Sequence, residues 1–94
     1  MTIAFGGDIH FEGAVRRLLD GEDGLGELRA SLGSADVAVV NLETAITDRG
    51  VPQPKIYHFR ASPKALSALD RAGVDVVSMA NNHAVDFGPD GLAD

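Results

Sequence analysis

Met79-Ala80-Asn81-Asn82-His83-Ala84-Val85-Asp86-Phe87-Gly88 decides the reading of this chain, because an apolar segment ends there in a dense group of metal-ligating and proton-transferring side chains. Val74, Val76, Val77 and Met79 have the apolar character of a strand buried in a parallel sheet. Such a strand has no structural need to finish on two amides and an imidazole, so its ending points to a site.

Working outward, two earlier segments end in the same way. Ile3 to Phe5 form a short apolar run stopped by Gly6-Gly7, after which Asp8-Ile9-His10 follow. Val37-Ala38-Val39-Val40 is mostly β-branched and apolar on both faces, which predicts a strand covered by helices on each side, breaking at Asn41-Leu42-Glu43. Between them, Val15, Leu18 and Leu19 lie at helical spacing within Glu12 to Asp20. Gly21 to Gly26 interrupts, and Leu25, Leu28 and Leu32 predict a second short helical stretch ending at Gly33 and Ser34.

Ala45 to Arg60 reads as a long excursion, with a turn at Asp48-Arg49-Gly50, Pro52 and Pro54 opposing regular pairing, and a short extended piece from Ile56 to Phe59. Ser62-Pro63 predicts a helix start with Ser62 as N-cap and Pro63 at the first helical position, Leu66, Leu69 and Ala72 facing the core, and Gly73 as the stop. A third strand over Asp75 to Met79 follows, and Gly88-Pro89-Asp90 opens a helix still in progress at Asp94, so the chain is expected to be cut short. The alternation of strands and helices predicts an α/β fold with a parallel sheet.

The 94 residues suit one small domain, expected to bury roughly 60–65% of the surface its unfolded form exposes. Fourteen acidic against eight basic residues give a net charge of −6, which disfavours nucleic acid and anionic membrane surfaces as partners. The absence of Cys excludes thiolate metal sites, a Cys nucleophile and disulfides. No G-x-G-x-x-G, P-loop or G-x-S-x-G pattern occurs. The opening Met1-Thr2-Ile3-Ala4-Phe5-Gly6 has neither a basic leader nor an apolar run of membrane length, so the chain as written is expected to stay in the cytoplasm.

In an open parallel sheet the carboxyl ends of the strands share one edge, where ligands bind. The polar clusters after the three strands therefore converge. Asp8 and Glu43 offer carboxylates, Asn82 an amide carbonyl, and His10 or His83 an imidazole, a mixed oxygen and nitrogen set suited to Mn²⁺, Mg²⁺, Fe or Zn²⁺. Each cluster alone also has a bland reading: Asp8 as a turn residue, Glu43 as a solvated carboxylate, Asn81-Asn82-His83 as a turn. Their joint placement favours a metal site in which Glu43 bridges and His83 protonates a leaving oxygen. His58 reads as a core-edge residue, Asp86 as a structural residue tying its loop to backbone amides, and Lys55 and Arg60 as ordinary surface cations that would otherwise meet an anionic substrate.

Gly7-Asp8, Asn41-Leu42-Glu43-Thr44, Phe59-Arg60-Ala61-Ser62-Pro63, Ala72 to Ser78 and Ala80 to Gly88 together resemble the CapA family of poly-gamma-glutamate capsule synthesis proteins, over nearly the whole chain. The resemblance implies the N-terminal part, residues 1–94, of a calcineurin-like metallophosphoesterase α/β sandwich. Ala80 to Gly88 also looks like the Gly-Asn-His-x-x-Asp-x-Gly stretch of 5′-nucleotidase-type phosphoesterases, with Asn81 where that group has Gly. It implies Asp8, His10, Glu43 and Asn82 as metal ligands, His83 as catalytic acid, and Asn41, Asn81 and Asp86 in support.

Those families supply further His ligands from a later Gly-His-x-His segment, so this stretch is expected to hold about half a site and to bind at most one ion weakly, with two possible only in a longer protein. The resemblance further implies capsule biosynthesis, an anionic polymer or phosphoester as substrate, a need for a further C-terminal part or oligomerisation, and an anchored or extracytoplasmic location. The competing reading is a non-catalytic scaffold or polymer-binding module with an incomplete metal site.

Overall fold

A computed structural model describes residues 1–21 and 24–94; the interruption expected over Gly21 to Gly26 lies partly outside them. In chain order the elements are β1 (Ile3–Ile9), a 3₁₀ segment at Gly13–Leu19, a 3₁₀ turn at Gly26–Leu28 running into α1 (Arg29–Leu32), β2 (Val37–Leu42), β3 (Ala45–Ile46), β4 (Arg60–Ala61), α2 (Lys64–Arg71), β5 (Val76–Ser78) and α3 (Gly88–Ala93). The α/β class and parallel sheet expected from the sequence are both present: β1, β2 and β5 pair in parallel in the order β1-β2-β5, and β3 pairs with β4 in a separate parallel ribbon.

β2 is central, but it is buried on one face only. Ala38, Val40 and Leu42 are buried while the alternating Val37, Val39 and Asn41 are partly open, so helices cover one side of the sheet rather than two. In register with the open set lie Ile3, Phe5 and Val76, and Phe5 is 77% exposed. On the covered side, Phe11, Leu42, Ile46, Ala61, Ala65 and Leu69 form the core. Val76 is 48% exposed because it points to the uncovered face of the sheet, against its reading as part of a buried strand.

Gly6-Gly7 does not end β1. The strand continues to Ile9, and the pairing changes from Phe5 opposite Val39 to Asp8 opposite Asn41, three residues on β1 against two on β2. This extra residue is a bulge, which re-aims the side chains beyond it. A Cβ on Gly6 would meet Val40 Cγ1 at 2.9 Å, so the close approach of the two strands requires a glycine there.

Several local expectations shift for similar tertiary reasons. β2 runs on through Asn41 and Leu42 because Asn41 is paired on both sides, and Glu43 N–H still donates to Ile9 O at 2.8 Å. Within the long excursion the regular pairing falls on Ala45–Ile46 and Arg60–Ala61, and the Ile56 to Phe59 piece is not a strand. α2 starts at Lys64, with Pro63 at the cap position and no side-chain cap bond from Ser62. Its buried residues are Ala65, Ala68 and Leu69, whereas Leu66 is 50% exposed.

The end of α2 follows its sequence. Val74 N–H donates to Leu69 O at 3.1 Å and Gly73 N–H to Asp70 O at 3.0 Å, a Schellman closure with Gly73 at φ 86°. α3 is fastened to the segment after β3: Thr47 Oγ1 donates to Asp94 Oδ2 at 2.6 Å, and the Arg49 guanidinium pairs with the same carboxylate. Arg49 and the Thr47 hydroxyl hold the Asp94 carboxyl down at about 2. Among the described residues, no helix is long and apolar enough to cross a membrane.

Two substitutions test this packing by urea denaturation. Gly73→Ala places a side chain in the left-handed region with its Cβ 2.9 Å from Gly33 Cα, and is expected to cost about 1–3 kcal/mol. Thr44 is fully buried, and its hydroxyl has no partner among the described residues. Thr44→Val removes that orphan at nearly the same shape and is expected to stabilise by about 1 kcal/mol; a loss of stability would show that the hydroxyl is satisfied.

Candidate functional site

The bulge in β1 brings Asp8 level with Asn41 at the carboxyl end of the sheet. Asn41 Nδ2 donates to Asp8 Oδ1 at 2.8 Å, and Asn41 Oδ1 accepts from Asn81 Nδ2 at 3.0 Å. Asn81 Nδ2 also donates to Leu42 O at 3.0 Å, while its Oδ1 accepts from His83 N–H at 3.0 Å. One chain of amide hydrogen bonds thus joins the ends of β1 and β2 to the loop after β5. Each amide uses both its donor and its acceptor, which fixes the spacing between Asp8 and the His83 backbone.

His83 is buried, and its ring is held on two sides. Nδ1 lies 2.6 Å from Asp86 Oδ2, and the imidazole stacks on Phe59 with centroids 3.8 Å apart and planes 9° from parallel. Asp86 is fully buried. Its Oδ2 also accepts from Phe59 N–H at 2.6 Å and its Oδ1 from Lys55 Nζ at 2.7 Å. Lys55 Nζ donates in addition to Asn82 O at 2.6 Å. Burial pushes the Asp86 carboxyl up, but the bonds from Lys55, His83 and Phe59 outweigh it and hold the group below the usual carboxylate range. A carboxylate on Nδ1 fixes the orientation of the ring and leaves Nε2 without a hydrogen-bond partner among the described residues.

The other sequence-selected residues lie around this core to different degrees. His10 accepts from Glu12 N–H at Nδ1, 3.2 Å away, and its ring centroid is 4.8 Å from that of Phe59. Phe59 therefore contacts both His10 and His83. Asp8, His10 and Asn82 are exposed, and Glu43 is half-buried. Among the described residues no three His, Asp or Glu side chains gather closely enough to hold a metal ion. Asp8 is thus gathered with Asn41, Asn81 and His83, but not into a closed shell of charged ligands with His10 and Glu43.

Three parts of the site differ from the sequence reading. Asp86 does tie its loop to a backbone amide, Phe59 N–H, yet it also orients His83; the i, i+3 spacing of the two residues was the available signal. Lys55 is committed to Asp86 rather than being an ordinary surface cation. Arg60 is likewise engaged, its guanidinium 3.6 Å above the Phe87 ring and its Nη2 bonded to Arg49 O at 2.6 Å. Phe59 as a wall against both imidazoles had no sequence signal. His58 is at the core edge as expected, with Nε2 2.6 Å from Gln53 O.

Asp86→Ala would leave Lys55 and His83 around an empty position and is expected to cost about 3–5 kcal/mol in urea denaturation, the range for breaking a buried pair. Asp86 and Asp94 both have folded values below the ordinary carboxylate value of about 3.9. The unfolded chain therefore takes up protons first: the stability these groups contribute is complete above that value and is lost as pH falls through it, towards about 2 for Asp94. Melting temperature followed from pH 6 to pH 2 should fall in that window, and the fall should be shallower in Asp86→Ala.

The family model described as bacterial capsule synthesis protein PGA_cap matches residues 2–94. Two relatives from Mycobacterium tuberculosis strains, each named a probable polyglutamine synthesis accessory protein, are 40% identical over 62 residues. Those matches cover 65% of this chain and 16% of each relative, so the chain corresponds to a small part of their length. With the family match running from the first strand through the last helix, the chain belongs to the bacterial capsule synthesis protein family PGA_cap.

Proposed function

We propose that this chain serves capsule biosynthesis as part of a hydrolase-type site, in which His83 transfers a proton to a leaving oxygen and Asp8 anchors one divalent ion. The observation that carries the reading is the continuous hydrogen-bond path from Asp8 through Asn41 and Asn81 to His83, ending on a buried imidazole and carboxylate pair. A structural turn would not need a buried carboxylate to orient a ring whose second nitrogen is left available. Family membership and the names of the relatives support the capsule role.

For the metal, the donor chemistry fits one loosely held ion. Asp8 has one oxygen engaged by Asn41, and His10 keeps Nε2 available after Nδ1 accepts from Glu12. Because Asp8, His10 and Glu43 do not gather around one point, a hard or borderline cation such as Mn²⁺, Mg²⁺, Fe or Zn²⁺ would be anchored by Asp8, with His10, Glu43 and the Asn82 amide reaching it only after side-chain movement and with water or other ligands filling the rest. When bound, the ion would supply Lewis-acid stabilisation of a phosphoryl or carbonyl oxygen. The chain's own contribution is to place Asp8, fix the His83 ring and keep its Nε2 directed to the proton transfer. An anionic polymer or a phosphoester is the substrate class this chemistry serves. Residues supplied by a longer family protein, or by a second chain, would complete the shell.

Isothermal titration with Mn²⁺ tests the assignment of roles. Saturable weak binding is expected in the wild-type chain, lost in Asp8→Ala and retained in His83→Ala, since His83 is assigned to proton transfer and not to the ion. Equal binding in Asp8→Ala would remove Asp8 as the anchor. No binding by any form would favour the scaffold reading, in which the fold is kept for assembly or polymer binding without a working metal centre.

A further inference from the structure

Lys55 reaches the site from a segment that is itself tied to Asp86. Gln53 N–H donates to Asp86 O at 2.9 Å, Lys55 N–H folds back to Gln53 O at 2.8 Å, and His58 Nε2 lies 2.6 Å from the same carbonyl. Pro52 and Pro54 flank Gln53 and restrict the backbone on both sides. The result is a braced loop whose ammonium meets two acceptors at opposite ends of one turn, Asn82 O at 2.6 Å and Asp86 Oδ1 at 2.7 Å. An exposed ion pair contributes little, but this one has a fully buried carboxylate as its partner.

We propose that Lys55 is a positioning residue for His83: by bridging the Asn82 carbonyl and the Asp86 carboxylate it locks the 82–86 turn and, through Asp86, the His83 ring. The proposal rests on the reading of His83 as the proton-transfer group. Asp86 uses its two oxygens for different tasks, Oδ2 for His83 and Phe59 and Oδ1 for Lys55. Without a donor on Oδ1 the carboxylate is held through Oδ2 alone, by Phe59 N–H and His83, so rotation about its Cβ–Cγ bond is less restrained and the hold on the imidazole weakens. A lysine suits the task because its compact head can donate in separate directions to two acceptors, whereas the planar fork of arginine favours two parallel bonds to one carboxylate.

The chain contains no Cys, so a single introduced thiol can be modified selectively. Lys55→Cys would be alkylated in urea and refolded in two forms, one carrying an aminoethyl group that restores the ammonium and one carrying a neutral propyl group. The readout is the solvent exchange rate of the His83 Nδ1 proton by nuclear magnetic resonance, with the resonance identified by its loss in His83→Gln. The propyl form is expected to exchange about tenfold faster than wild type, equivalent to about 1.4 kcal/mol of lost hold on the ring, and the aminoethyl form to return towards wild type.

Wild-type exchange in the propyl form would overturn the proposal. If the propyl form does not refold, Lys55→Arg decides: it keeps the charge but not the two-acceptor geometry, and exchange several-fold faster than wild type is expected, while an unchanged rate overturns the proposal. The measurement needs neither metal nor substrate. Failure of the hydrolase reading and failure of the Lys55 role are therefore separable.

Discussion

The carboxylate of Asp86 is the interaction on which the rest of the site depends. It is fully buried, and a buried charge persists only when it is paired and hydrogen-bonded. The pairing draws Lys55 and Phe59 from the connection between β3 and β4, and His83 from the loop after β5, onto one group. Two segments distant in sequence are thereby fixed to each other by a single side chain. The stack of Phe59 on His83 is a consequence: the same carboxylate oxygen accepts from the Phe59 backbone and faces the His83 ring.

The second constraint is the bulge at Gly6-Gly7. With regular pairing, residue 7 would lie opposite Asn41 and the Asp8 side chain would turn to the face occupied by Leu42. The extra residue places Asp8 opposite Asn41, where a 2.8 Å hydrogen bond joins them. The bulge therefore acts on the position of Asp8 through register. Gly6 leaves room for Val40 of β2, and the bulge re-aims the Asp8 carboxylate along the sheet edge.

Both devices act at the carboxyl end of a sheet that is covered on one face only. The open face carries Ile3, Phe5 and Val39 in register, and ends at the edge where Asp8 and Asn41 meet. The exposure of these apolar residues shows that apolar sequence alone does not say which of two faces is covered. Leu66 and Val76 carry the same lesson: each fits its local pattern, and each is exposed because of where its helix or strand lies in the whole.

The sequence by itself determined the α/β class, the parallel connectivity, the stop of α2 at Gly73 and the approach of the polar clusters that follow the three strands, because these follow from hydrophobic period, turn chemistry and the shared edge of parallel strands; which members of those clusters bond to one another, Asp8, Asn41, Asn81 and His83, was set by the fold. Capsule-family membership was legible in the same motifs. Only the tertiary structure decided that Lys55 pairs with Asp86 beside His83, that Phe59 contacts both imidazoles, and that no three charged ligands close around one point among the described residues. Those outcomes depend on the register of one bulge and on which loop reaches a buried charge, and neither distance is encoded in the local periodicity of the chain.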